Sequence, residues 1–177
     1  MHYIGAVKRL FRDPILYFIN ALLFFVPGPN IAVAGYLVSL TGSSGPEASF
    51  GRFIIRFFEG FQIIAVGLMY AVLPLIALEF YSPLLAVALA LLLFPPFVFS
   101  IAMLGNGEKL GSILELRRVL RAYSKFFITS IFKAGIFSLL VLLAHIMVPI
   151  AGWIGIVYGP AAVFLILIGE AYQDYFV

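Results

Sequence analysis

Charged and polar side chains set inside apolar runs are the residues of this chain that could do chemistry. Lys133 lies about two turns into an apolar run that begins at Phe126, and Glu170 lies about one turn before the end of the last such run. A charge in hydrocarbon costs roughly 3 kcal/mol or more, so it normally faces a partner or a water-filled cavity. Glu59 and Gln62 enter another apolar run at what would be the same depth. Glu59, Gln62, Lys133 and Glu170 therefore form a candidate intramembrane polar cluster, suited to passing an ion or a polar substrate. The plainer alternative is that Lys133 extends to the headgroups and Glu170 sits at the interface. Toward the opposite face, Glu79 and His145 close their respective runs and make a candidate outer pair, or else polar caps in the headgroup zone.

Other chemistries lack the residues they need. The two histidines, His2 and His145, are far apart, and no His-x-x-x-His accompanies them, so no metal site and no haem ligation is expected. With no cysteine there is no thiolate chemistry and no disulfide framework. Gly42-Ser43-Ser44-Gly45 lacks the strand-turn-helix setting of a nucleophile elbow, and no glycine-rich phosphate loop is present. The expectation is a protein that is not an enzyme and needs no cofactor.

The elements that would hold these residues are membrane helices. The 177 residues are 64% hydrophobic and 11% charged, against the roughly 25% charged share of soluble domains. Residues 1–177 read as one all-α integral membrane domain. Its expected parts are four transmembrane helices in two hairpins, at 61–80, 84–104, 126–148 and 153–173. Two interfacial amphipathic helices accompany them. One, at 49–60, sets Phe50, Phe53, Phe57 and Phe61 against Arg52, Arg56 and Glu59; the other, basic, covers 108–125. The segment 14–40 is broken by Pro27-Gly28-Pro29 into halves of under 20 Å, each too short for a hydrocarbon core of about 30 Å. It reads as a re-entrant helical hairpin or a kinked crossing, retained rather than cleaved as a leader. Asn20 and Asn30 are expected to satisfy the backbone freed at its break.

Charge sets the expected orientation. The loops at 41–60 and 105–125 carry seven Lys and Arg, while the turns at 80–83 and 149–153 carry none. If 14–40 re-enters, Lys8, Arg9 and Arg12 join the same side and the count becomes ten against none. The positive-inside rule makes that side cytoplasmic, with both termini on it and the chain multi-pass in the cell membrane. Arg52, Arg56, Arg117, Arg118, Arg121 and Lys125 would lie against anionic headgroups, each adding about 1 kcal/mol of attraction. Nucleic acid is not expected as a partner, because the same segments carry apolar faces. Gly155-x-x-x-Gly159 is a small-residue pattern for helix packing, within the chain or between copies.

The segments RLFRDP at 9–14, VPGPN at 26–30, GYLVSL at 35–40, RRVLRAY at 117–123 and VPIAGW at 148–153 together resemble a mostly archaeal family of uncharacterised membrane proteins, the domain of unknown function numbered four thousand and thirteen. The resemblance covers most of the chain and implies an architecture without an established activity. Similar proteins often carry an acidic, tryptophan-rich stretch after the first membrane unit, where this chain has SSGPEASFG. With so little hydrophilic mass, the expected function is non-catalytic: an accessory or structural subunit beside other membrane subunits or copies of itself, or a membrane-organising factor. The alternative is a small transporter or channel component, with the polar cluster as its site.

Overall fold

The computed structural model describes residues 2–42, 53–148 and 151–177. It is all-helical, with no strand among the described residues. Three helices are long and apolar enough to cross a bilayer: α4 (Phe53–Phe80, by its part 56–80), α5 (Pro83–Gly105) and α8 (Lys125–Met147). The first described segments are the short helices α1 (Tyr3–Leu10), α2 (Pro14–Leu23) and α3 (Pro29–Ser39). Between α5 and α8 lie α6 (Leu110–Ile113) and α7 (Leu116–Arg121), and α9 (Ala151–Ile154) leads to α10 (Tyr158–Phe176).

Local chemistry explains most of the boundaries. Asp13 caps α2 by accepting from the Leu16 amide at 3.0 Å, and Pro14 takes the first helical position, where no donor is needed. Gly28 has φ +92°, a left-handed conformation that other residues avoid, and Pro29 then opens α3. The break between α2 and α3 is closed by its own backbone: Val26 N donates to Leu23 O at 3.1 Å and Asn30 N to Val26 O at 3.1 Å. The expected role of Asn20 and Asn30 side chains at this break is therefore corrected, since the turn supplies the bonds itself; Asn30 is exposed and Asn20 is buried elsewhere. Ser82 caps α5 by accepting from the Leu85 amide at 3.1 Å, with Pro83 at its start, which makes the sharp turn out of α4.

Two further expectations change. No separate interfacial helix ends at residue 60, because α4 runs without interruption from Phe53 to Phe80; residues 49–52 lie outside the described residues. The basic stretch 108–125 is two short helices rather than one, divided at Leu114–Glu115. Its Tyr123 hydroxyl donates to the Leu92 carbonyl of α5 at 2.8 Å. That carbonyl needs an outside donor because its usual partner four residues on is Pro96, which has no N–H.

The core is built around the helix with the most polar end. α10 carries Glu170, Gln173 and Asp174, yet Ala162, Val163, Ile166, Leu167, Ile168 and Ala171 are fully buried in it. It packs on α8, α1, α5, α3 and α2. In the most apolar windows of α4, α5 and α8, by contrast, only 11%, 33% and 22% of residues are buried. A helix with apolar residues on every side belongs inside a bundle, while leucine- and phenylalanine-rich faces can meet lipid. α8 and α10 run antiparallel, with Phe126 stacked on Tyr175 at 5.2 Å between ring centres and Phe127 edge-to-face with Phe176 at 6.0 Å. α4 and α5 form the other long hairpin, joined midway by Tyr70 Oη and Ser100 Oγ at 3.1 Å.

α3 packs against the start of α4 as closely as two backbones can. A Cβ on Gly35 would lie 1.8 Å from the Arg56 carbonyl oxygen, and one on Gly60 would lie 1.9 Å from that of Ile31. Gly60→Val therefore forces the helices apart and is expected to cost about 2–3 kcal/mol. Gly111→Ala, where a new Cβ meets nothing, should not lower stability. Thermal unfolding of the detergent-solubilised protein distinguishes the two.

Candidate functional site

Polar side chains gather in two places on opposite ends of α10. At the first, the C-terminal ends of α3 and α5 meet the last turns of α10. The final carbonyls of a helix have no partner within it and carry partial negative charge. Here side chains from elsewhere supply the donors. Arg9 Nη2 donates to Gly42 O at 2.9 Å. Gln173 Nε2 reaches Thr41 O at 3.1 Å, and Asn106 Nδ2 reaches the same oxygen at 3.2 Å. The second proton of each amide is used as well, from Asn106 to Ala102 O at 2.8 Å and from Gln173 to Asn106 Oδ1 at 3.0 Å. Thr41 Oγ1 donates to Val38 O at 2.8 Å. A Cβ at Gly169 would stand 2.3 Å from Thr41 O and one at Gly105 would stand 2.4 Å from Val38 O, so these glycines admit the α3 end. The His2 amide donates to Glu170 Oε2 at 2.7 Å alongside.

At the other end, α2 is pinned to α8. Tyr17 Oη and His145 Nε2 are 2.6 Å apart, and His145 Nδ1 is 2.8 Å from Val141 O. A carbonyl only accepts, so Nδ1 carries the proton and Nε2 accepts from the tyrosine hydroxyl. Both side chains are buried. They floor a groove of about 480 Å³ whose walls include Val7, Phe11, Phe137 and Leu140. The Tyr158 ring lies 5.5 Å from that of Tyr17. Among the described residues, the buried Asn20 Nδ2 and Ser138 Oγ have no hydrogen-bond partner.

The four residues of the candidate polar cluster do not converge. Lys133 is exposed, about a third of a turn round α8 from the buried stripe of Phe127, Ile131, Ala134 and Ser138. Neither Lys133 nor Gln62, also exposed, makes a hydrogen bond or ion pair among the described residues. Glu170 is held by the His2 amide instead, and Glu59 is half-buried on α4, which packs chiefly on α3 and α5. The outer pair is likewise not formed: Glu79 is exposed, and the partner of His145 is Tyr17.

Of the residues expected at headgroups, Arg52 lies outside the described residues and Arg56 sits over the Tyr36 ring at 4.6 Å. Arg118 pairs with Glu108 at 2.7 Å and Glu115 at 3.1 Å, and its hydrogen bond to Glu108 raises its pKa further. Arg117, Arg121 and Lys125 are exposed. Within the chain, Gly155 and Gly159 face side chains of α2 and α8 rather than a neighbouring helix backbone. A Cβ at Gly155 would meet Tyr17 Oη at 1.9 Å and one at Gly159 would meet His145 Nε2 at 2.6 Å, so the pair makes room for the tyrosine–histidine bond.

Sequence reasoning missed Tyr17, Arg9, Thr41, Asn106 and Gln173. Asn106 carried a signal, since Gly105-Asn106-Gly107 is a helix-stop triplet and asparagine favours that position. Nothing marked Tyr17, one of nine tyrosines. Among the described residues, no three of His, Asp and Glu lie close enough to hold a metal ion.

No protein-family model, no curated protein and no solved structure matches this chain.

The tyrosine–histidine bond makes a measurable claim. Tyr17→Phe leaves His145 Nε2 buried without a donor and is expected to cost about 1–3 kcal/mol. In a double-mutant cycle with His145→Phe, unfolding in detergent should give a coupling of about 0.5–1.5 kcal/mol, the range for bonds between membrane helices. Additive effects would mean that the two residues do not interact.

Proposed function

We propose that this protein is a non-catalytic, multi-pass membrane protein that acts as an accessory or structural subunit of a membrane complex, or as a membrane-organising factor. One observation carries the reading. The polar side chains gathered at the two ends of α10 are engaged with the protein's own backbone and with each other, while the broad outer faces of α4, α5 and α8 are leucine, isoleucine and phenylalanine. Such a body offers apolar surface to lipid or to other membrane subunits.

In this reading α10 is a fourth crossing, sheltered by its neighbours because its end is too polar for lipid. Residues 14–40 enter the bilayer and return on the same side. The bond from Arg9 to Gly42 supports this, because it ties together the two points that flank the broken segment. The basic face, with both termini, is cytoplasmic, and the exposed Arg117, Arg121 and Lys125 meet anionic headgroups there.

Gentle extraction from the native membrane, followed by native mass analysis, should find this chain with a second polypeptide at fixed stoichiometry. A lone chain that passes ions or solutes when reconstituted in liposomes would overturn the reading. Topology is checked on the cysteine-free background. Single cysteines at Ile4, Lys109 and Tyr175 should react with an impermeant thiol reagent from one face, and those at Tyr81 and Trp153 from the other. Opposite behaviour of Ile4 and Lys109 would make 14–40 a crossing.

A further inference from the structure

A groove of about 650 Å³ runs between α5 and α8, with Phe164 of α10 beneath it. Its lining includes Leu91, Pro95, Phe132, Gly135 and Ile136, and no lining side chain carries nitrogen or oxygen. Two features separate it from an ordinary lipid-facing furrow. The first is Gly135. A glycine inside a helix is costly relative to alanine, and here it accommodates no neighbour, because an added Cβ would meet nothing within 4 Å. Its effect is to keep the groove open.

The second feature is a missing backbone donor in the wall. The carbonyls of Leu91 and Leu92 would normally accept from residues 95 and 96, and both are prolines. Tyr123 supplies the bond for Leu92 at 2.8 Å. Among the described residues no side chain does so for Leu91, and the donor that follows Pro95 along the helix, at 96, is also lost to proline. Leu91 and Pro95 are one turn apart and both line the groove, so the interrupted bond lies on its wall. In hydrocarbon an unmatched carbonyl must find a donor from a neighbour or a ligand.

We propose that this groove is a binding site for a long-chain membrane alcohol, whose apolar chain lies along Gly135 and whose hydroxyl donates to the Leu91 carbonyl. The volume, about 650 Å³, suits a lipid-sized molecule. It falls within the range of small-molecule sites. The lining favours an apolar body, and the single acceptor favours a ligand with one donor.

The test uses the full chain in nanodiscs, with a photoactivatable C16 alcohol and its methyl ether as probes and cross-links mapped by peptide mass spectrometry. Wild type should cross-link saturably within residues 91–95 and 128–139 and prefer the alcohol by about three- to tenfold. Pro95→Ala returns an N–H to Leu91 and should abolish that preference while both probes still bind. Gly135→Leu fills the groove and should remove labelling by both. Each substitution suits a helix, and thermal unfolding would register a fold failure. Equal affinity for alcohol and ether, labelling unchanged in Gly135→Leu, or a co-purified polypeptide cross-linked at Gly135→Cys in place of the probe would overturn the proposal.

Discussion

A backbone carbonyl in hydrocarbon has no water to turn to, and this chain breaks its helices repeatedly. Pro-Gly-Pro divides α2 from α3, Pro95-Pro96 interrupts the ladder of α5, and α3 stops where α5 and α10 also end. Each break releases acceptors, and the architecture follows from where their donors come from. Within the first break the turn closes on itself. At α5 the donor is Tyr123, which draws the segment after α7 against the helix one turn before Pro96. At the common end of α3, α5 and α10, Arg9, Asn106 and Gln173 share the work. Because those donors come from three separated parts of the chain and the carbonyls from a fourth, satisfying them also fixes α1, α3, α5 and α10 relative to one another.

The order of the helices follows from the same constraint. The helix that must keep Glu170 and Gln173 near its end is surrounded by the others, and the helices richest in leucine and phenylalanine face outward. Small residues make this possible. Gly169 admits the end of α3, while Gly155 and Gly159 admit the side chains of Tyr17 and His145. The α10 helix is thus gripped at both ends by hydrogen-bonded groups, with aliphatic packing along the middle.

Much of this was legible one element at a time. The runs expected at 84–104 and 126–148 are α5 and α8 within a residue at each end, because apolar length and bounding serine, proline and glycine are local signals. The Pro-Gly-Pro break was equally plain. The joint of 49–60 with the next helix was not, because the change from amphipathic to fully apolar composition at residue 60 marks a change of surroundings and leaves the backbone helical. The polar cluster was placed by depth alone. Depth says nothing of rotation about the helix axis, and rotation puts Lys133 outside. Donors such as Arg9 and Gln173 were hidden because they serve carbonyls more than 30 residues away, and a carbonyl has no letter in the sequence.

The central claim is that Asn106 and Gln173 hold the bundle together by satisfying the end of α3, whereas the exposed Lys133 does not contribute. Thermal unfolding of Asn106→Leu, Gln173→Leu and Lys133→Met, each in the same detergent, tests it most directly. The account predicts that the first two melt several degrees below wild type and that Lys133→Met melts with it. Wild-type stability in Gln173→Leu and Asn106→Leu, or a loss confined to Lys133→Met, would contradict it.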